Sequence, residues 1–314
     1  MIDTSKHISV LFHECIDGLS IKPDGLYVDG TFGRGGHAAE ILKHLNDKGR
    51  LFVFDKDAEA IKVAQEMMGD DSRVVIVHAD FAQIKTVMDQ RDLLGQVDGV
   101  FLDLGVSSPQ LDQAERGFSF MKDGPLDMRM DQSAALSAEL WLSQADEKEI
   151  ANVLWQLGEE KFSRRIAKRI VAERVETPFK TTLQLAALIK DCIPNSRREK
   201  KHPATRSFQA IRIHINGELS KLQELLADVL DLLTIEGRLL VISFHSLEDR
   251  LVKRYIQQYS TAKKVPRGLP VRNDDLDASI RLRKVGKAIK ASADELAQNA
   301  RSRSAVLRIA ERVR

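Results

Sequence analysis

Apolar positions in this chain fall into two kinds of pattern, and the change from one to the other divides it. Leu26-Tyr27-Val28, Leu51-Phe52-Val53-Phe54, Val74-Val75-Ile76-Val77 and Val97 to Leu102 are compact apolar runs of strand length. Between them apolar residues recur at helical spacing, as in Ala38, Ile41, Leu42 and Leu45. Continuous apolar runs suit strands covered on both faces. Their alternation with helices predicts a parallel sheet flanked by helices. A short helix over about Val10 to Leu19, stopped by Lys22-Pro23-Asp24-Gly25, precedes the first strand, and Asp57 is placed to cap a helix opening at Ala58.

After the fourth strand the rhythm breaks. Gly117 to Asp131 is polar, aromatic and punctuated by Gly and Pro, which reads as a long lid or binding loop. From Ser137 to Cys192 the pattern is wholly helical, with Gly158 as a stop and Thr181 with Gln184 as a capping box. His202 to Arg206 leads back, one helix is predicted from about Ser207 to Leu233, and Gly237 to His245 reads as a fifth strand. Ser246 with Asp249 resembles a cap for the helix through Tyr259. Thr261 to Gln298 is basic and weakly periodic, and Ser304 to Ile309 closes as a final strand. The expected organisation is a sheet domain over 1–115 and 206–314, interrupted by a helical substrate-recognition domain over 116–205.

Composition narrows the class. The chain has 314 residues and a formal net charge of +2, so neither a polybasic tail nor an acidic solvating protein is indicated. Cys15 and Cys192 stand far apart, which argues against a disulfide framework or a zinc cluster. The N-terminal MIDTSKHISV lacks a long apolar core and no apolar run approaches membrane-spanning length, so a cytoplasmic protein without a membrane partner is expected.

The first strand ends in Asp29 and runs into Gly30-Thr31-Phe32-Gly33-Arg34-Gly35-Gly36-His37. Glycines allow a sharp turn and close approach to a ligand, and the following helix start offers free N–H groups. Gly33-x-Gly35-x-x-Ala38 formally matches a dinucleotide fingerprint, with Asp55 at the distance expected of a ribose-binding acid. Asp29 argues otherwise, because a carboxylate beside the turn would repel a pyrophosphate. A ligand carrying both an ammonium and a carboxylate would be held at both ends, and S-adenosylmethionine is such a ligand. Asp29, Asp55, Phe81 and Asp103 all fall at the carboxyl ends of predicted strands, where this architecture binds ligands. Phe81 could stack on an adenine or sit in the core.

Five blocks carry a resemblance: Asp29 to His37, Asp103 to Asp131, His202 to Ile213, Ser243-Phe244-His245-Ser246-Leu247-Glu248-Asp249-Arg250, and Arg303 to Arg312. Together they resemble the ribosomal small subunit methyltransferase H family, also called the MraW family. The resemblance implies a Rossmann-like class I methyltransferase fold with an antiparallel last strand and an inserted helical domain. It implies methyl transfer from S-adenosylmethionine to the N4 amine of a cytidine in 16S small-subunit ribosomal RNA near the decoding centre. It also implies cofactor contacts at Gly35, Gly36, His37, Asp55, Phe81, Asp103 and Gln110, to which the reading of the residues adds Asp29 and Gly33.

A cytosine amine is a poor nucleophile because its lone pair is shared with the ring, so placement in line with the methyl group and an acceptor for its hydrogen matter most. Many amino-methyltransferases use an Asp/Asn/Ser-Pro-Pro-aromatic motif here. This chain has Asp103-Leu104-Gly105-Val106-Ser107-Ser108-Pro109 instead, leaving Asp103 as the candidate catalytic residue, holding the cofactor or orienting the amine. No metal is required. Phe118 and Phe120 could stack an extruded base or pack the loop. His37 reads as a polar residue at the site's edge, and His245 is placed either to orient a ligand or only to pair with Glu248 or Asp249. Basic runs at Lys161, Arg164, Arg165, Lys168 and Arg169, at Arg197 to His202 and at Arg281 to Lys287 suggest a phosphate-tracking surface, with Arg206 a further RNA candidate. The expected partner is 16S ribosomal RNA or the small subunit, with a homodimer among the assemblies the chain could form. A nicotinamide-dependent oxidoreductase and a noncatalytic rRNA-binding assembly factor are the alternatives.

Overall fold

The structure is a computed structural model and describes residues 9–194, 202–262 and 279–314. It divides into two compact units, 1–105 with 219–314 and Val106–Glu218.

In the first unit the elements run α1 (Phe12–Leu19), β1 (Leu26–Asp29), α2 (Gly36–His44), β2 (Arg50–Asp55), α3 (Ala58–Met68), β3 (Val74–His78), α4 (Ile84–Asp89) and β4 (Val97–Asp103). The second unit holds α5 (Ser108–Asp112), α6 (Ala138–Gln144), α7 (Glu147–Gly158), α8 (Ser163–Glu173), α9 (Thr182–Cys192) and α10 (Thr205–Asn216). The first unit resumes with α11 (Glu218–Leu232), β5 (Leu233–Ser243), α12 (Ser246–Tyr259), β6 (Leu282–Lys284), β7 (Ile289–Lys290), α13 (Ala293–Gln298) and β8 (Val306–Arg312).

One sheet orders its strands β3-β2-β1-β4-β5-β8-β6, with β7 also pairing β8. β1 to β5 are mutually parallel, and β8 runs antiparallel to β5, β6 and β7. This is the Rossmann-like class I methyltransferase arrangement, with a parallel core and antiparallel strands at one edge. The apolar runs work on both faces, as their continuity requires. Phe52, Phe54, Val100, Leu102, Leu239 and Val241 join Leu222, Leu225 and Val252 on one side. Leu51, Val53, Phe101, Leu240 and Ile242 meet Leu11, Ile41 and Ala64 on the other.

The strand order reverses between β1 and β4, which sit side by side although β2 and β3 follow β1 in sequence. Such a switch point leaves a crevice outside the carboxyl ends of the strands.

Several expectations shift. The helix expected from Ser207 to Leu233 is two, because Gly217 takes a left-handed φ of 61° between α10 and α11. Gly158 is not a cap but the last residue of α7, and the left-handed position is Glu159. A Cβ on Gly158 would lie 2.7 Å from the Arg206 carbonyl oxygen, so the missing side chain lets α7 and α10 approach. Part of the stretch expected to be loose is ordered, since it forms β6, β7 and α13. Its residues 263–278 lie outside the described residues, as do 195–201 within the expected basic run ending at His202.

The inserted unit spans Val106–Glu218 rather than the 116–205 read from the sequence. Its core explains the difference, because both flanks contribute to it. Leu126, Met128 and Met130 of the long loop are buried with Trp141, Leu154, Ile170, Leu185, Phe208 and Ile211. Asn216 pins the loop, accepting from the Met130 N–H at 2.8 Å and donating to the Met128 carbonyl at 2.8 Å. The buried Arg116 donates to the Met130 carbonyl at 2.9 Å. The loop expected to act as a lid is therefore, over Leu126 to Met130, part of a packed core.

Candidate active site

The crevice is lined by acids delivered by neighbouring strands. β1 ends at Asp29, β2 at Asp55 and β4 at Asp103, and the parallel register pairs Asp29 with Val53 on one side and Phe101 on the other. Asp29 is 1 % exposed and accepts one hydrogen bond, from the Thr31 N–H at 3.0 Å. Thr31 in turn accepts the Asp103 N–H on its hydroxyl at 2.6 Å, tying the glycine turn to the end of β4. Asp55 accepts from the Gly33 N–H at 2.9 Å on one oxygen and from the Asp57 N–H at 2.9 Å on the other. Each carboxylate oxygen has two lone pairs, so Asp55 keeps acceptor capacity for a diol.

Asp103 is different. Its Oδ1 is buried and has no hydrogen-bond partner. Burying a carboxylate without partners is costly, and such a group normally neutralises or awaits a counter-charge. Burial, followed by the charges of Asp29 and Glu248, pushes its carboxyl up to about 8. Asp29 is pushed up to about 7, by burial first and then by Asp55, against the opposing Thr31 hydrogen bond. Asp55 is raised as well, chiefly by burial, although its two backbone hydrogen bonds pull the other way. A cationic ligand removes this strain by letting all three ionise.

The glycine turn supplies the opposite polarity. Gly33 and Gly35 sit at φ of 57° and 76°, a region side chains rarely adopt. Gly35 is the N-cap of α2, with no side-chain cap and no acid in the first helical turn. The positive end of the helix dipole lies there, which suits an anion. An ammonium or sulfonium facing the acids and a carboxylate facing α2 is therefore the combination these residues fit, and S-adenosylmethionine carries it.

Other expected residues fall into two groups. Gly36 is exposed as the first residue of α2. Phe81 is 9 % exposed and packs within the sheet's core. His37, the second residue of α2, is 6 % exposed, its ring 4.5 Å from that of Phe101 and its Nε2 3.1 Å from the Val10 carbonyl oxygen. Gln110 belongs to the helical unit, where its Oε1 accepts the Ser107 N–H at 3.0 Å and completes the capping box of α5.

The RNA candidates also lie in the helical unit. Arg164, Arg165, Lys168 and Arg169 are exposed on α8, while Ile166, Ala167 and Ile170 turn inward. Arg169 pairs with Glu173 at 3.2 Å, an acid just beyond the basic run. Arg206 is exposed at the start of α10. Phe118 is 7 % exposed in the helical core, and the Phe120 ring lies 4.7 Å from those of His202 and Phe208. Phe118 is thus packed in the helical core, while Phe120 remains half-buried. In the run from Arg281 to Lys287, Arg283 is paired with Glu311 across β6 and β8, while Lys284 and Lys287 are exposed.

His245 pairs with Glu248, its Nε2 3.0 Å from Oε1, as one sequence reading had it, but the cap expected at Ser246 falls one residue earlier. His245 rather than Ser246 is the N-cap of α12, and Glu248, at 2 % exposure, completes a capping box with it. Asp249 pairs instead with Arg308 at 2.6 Å. The signal available was the spacing of His245 and Glu248, which matches a capping box except that histidine replaces Ser or Thr.

Comparison with known proteins gives a consistent result. The model of the MraW methylase family matches residues 4–313. The chain is 54 % identical over 308 residues to "Ribosomal RNA small subunit methyltransferase H" of Alteromonas mediterranea, covering 98 % of each chain. Among solved structures, an rRNA methylase from Streptococcus thermophilus aligns at a TM-score of 0.43 and 11 % identity, covering 98 % of this chain and 99 % of that one. A methyltransferase from Streptococcus mutans in complex with SAH aligns at 0.43 and 10 %, covering 98 % and 100 %. With a family match across nearly its whole length and a relative identical at more than half of the aligned positions, this chain belongs to the MraW methylase family.

Proposed function

We propose that the protein transfers a methyl group from S-adenosylmethionine to the N4 amine of a cytidine in 16S ribosomal RNA, near the decoding centre of the small subunit, as a cytoplasmic enzyme. The observation that carries the donor assignment is the unpartnered buried oxygen of Asp103, on the strand next to that of Asp29, at the strand switch point. The RNA target is supported by family membership and by the relative's name.

Bound S-adenosylmethionine supplies an electrophilic methyl group on a sulfonium. Asp29 would face its ammonium, the start of α2 would take its carboxylate, and Asp55 would accept from its ribose diol. Asp103 offers its free oxygen to a cation or to a hydrogen of the incoming amine, which localises the amine lone pair and takes up positive charge as the bond forms. The exposed cations of α8 contact phosphates, which position RNA without reading its sequence. Arg206 extends that surface.

The test is methyl transfer to small subunits purified from cells lacking this protein, with mass mapping of the modified nucleotide. One N4-methylated cytidine is expected with the native chain and none with Asp103→Ala. Transfer to a different atom, or undiminished transfer by the variant, refutes the proposal.

A further inference from the structure

The chain leaves β1 at Asp29 and enters a turn whose backbone is bonded to both neighbouring strands. The Gly30 N–H donates to the Phe101 carbonyl of β4 at 2.9 Å, and the Phe32 N–H donates to the Phe54 carbonyl of β2 at 2.9 Å. Thr31 lies between these two bonds and is half-buried. Its N–H donates to Asp29 Oδ1 at 3.0 Å, and its Oγ1 accepts the Asp103 N–H at 2.6 Å. One residue thus holds two acids, the first through its backbone and the second through its hydroxyl. The bond to Asp29 also favours the ionised acid that a cation requires.

The hydroxyl stands where the ladder between the strands runs out. β1 pairs its last residue, Asp29, with Phe101, so Asp103 lies beyond that pairing and takes its acceptor from a side chain. On its other side β4 stays tied to β5, the Leu104 N–H donating to the Ile242 carbonyl at 3.0 Å. Closing the turn does not call for a hydroxyl, because backbone groups of Gly30 and Phe32 do that. What the hydroxyl fixes is the backbone at the root of the Asp103 side chain. The buried Oδ1 of that side chain has no partner to hold it, so its place depends on where the backbone carries it.

We infer that Thr31 is a positioning residue of the methyl-transfer site, setting through its hydroxyl where Asp103 stands relative to Asp29, so that one bound donor meets both acids. The inference rests on the donor assignment made above. Asp29 is held by the backbone of the same residue. Removing the hydroxyl alone therefore releases Asp103 and leaves the bond to Asp29 in place, and its effect on the donor runs through Asp103.

The test is a double-mutant cycle on the full chain, with S-adenosylmethionine affinity read by isothermal titration and stability by urea unfolding. Thr31→Val removes the acceptor with little change of shape and should weaken binding roughly three- to tenfold, on the order of one hydrogen bond. Thr31→Ser, which keeps the hydroxyl, should restore most of the affinity. In an Asp103→Asn background Thr31→Val should weaken binding by less than about twofold, because the acid through which Thr31 acts is gone. The stability lost by stranding the backbone N–H should be the same in both backgrounds. Thr31→Ala serves if the valine variant fails to melt cooperatively. The full loss of affinity repeated in the Asp103→Asn background, a serine variant as weak as the valine one, or native affinity in whichever hydroxyl-free variant folds overturns the inference. A native protein that does not bind S-adenosylmethionine instead refutes the donor assignment.

Discussion

The raised acids make donor binding a proton-linked event, and its size follows from the structure. Asp103 holds its proton up to about 8 and Asp29 up to about 7. Both must ionise to face a cation. At pH 7 about one Asp103 in ten is already charged, so deprotonation costs about 1.4 kcal/mol, a factor of ten in affinity. Between pH 7 and pH 6 the affinity for S-adenosylmethionine should therefore fall about tenfold if Asp103 alone must ionise. If Asp29, already half ionised at pH 7, must ionise as well, the fall is about fiftyfold. Titrations in buffers of different ionisation enthalpy should show between one and two protons released on binding near pH 6. Asp103→Asn should abolish one of those protons and flatten the pH dependence accordingly. Affinity and proton release that stay constant from pH 5.5 to 7.5 would refute the reasoning, because the acids would then be charged before the ligand arrives.

Three further outcomes follow from the same structure. Because their folded-state proton affinities exceed those of the unfolded chain, Asp29 and Asp103 bind more protons when folded from about pH 4 to pH 8. Stability of the ligand-free protein should fall as pH rises through that window, and urea unfolding of Asp103→Asn should show a weaker decline. Asp71, held down to about 2 by Arg73, works in the opposite sense, and its contribution is lost only in stronger acid. Asn216→Ala should destabilise the helical unit by about 2–4 kcal/mol by stranding the Met130 N–H and the Met128 carbonyl, read as an earlier denaturant midpoint. Replacing Arg164 and Arg165 with Gln should weaken RNA binding and lower its salt slope by about one to two, whereas an unchanged slope removes α8 from the footprint.

How much of this was legible from the residues depends on whether burial leaves a mark in the sequence. Strands β1, β2 and β4 were legible because a strand covered on both faces must be apolar throughout, and their terminal acids stood out against that background. Asp57 capping α3 and Thr181 with Gln184 capping α9 were legible because a cap is a local contract between neighbours. Long-range packing left weaker marks. Glu248 looks like any early helical acid until Phe244 and His245 close over it. Leu126 and Met128 sit in a polar loop, and only the distant Asn216 shows why they are inside. The strands β6 and β7 were hidden by their lysines and arginines, which edge positions tolerate because one side faces water.

The antiparallel strand β8 is the last of the sheet to be synthesised, yet it sits between β5 and β6 rather than at the rim. Its Glu311 holds Arg238 of β5 at 3.1 Å, and that arginine also reaches the Gly18 carbonyl at 2.8 Å near the start of the chain. While β8 is still in the ribosomal tunnel, the apolar β5 presents an open row of N–H and C=O groups. A chain cut short before Val306 would keep its donor-binding acids and still expose a sticky edge. Truncated products should therefore be recovered in aggregates or with chaperones, even though every acid of the crevice is intact.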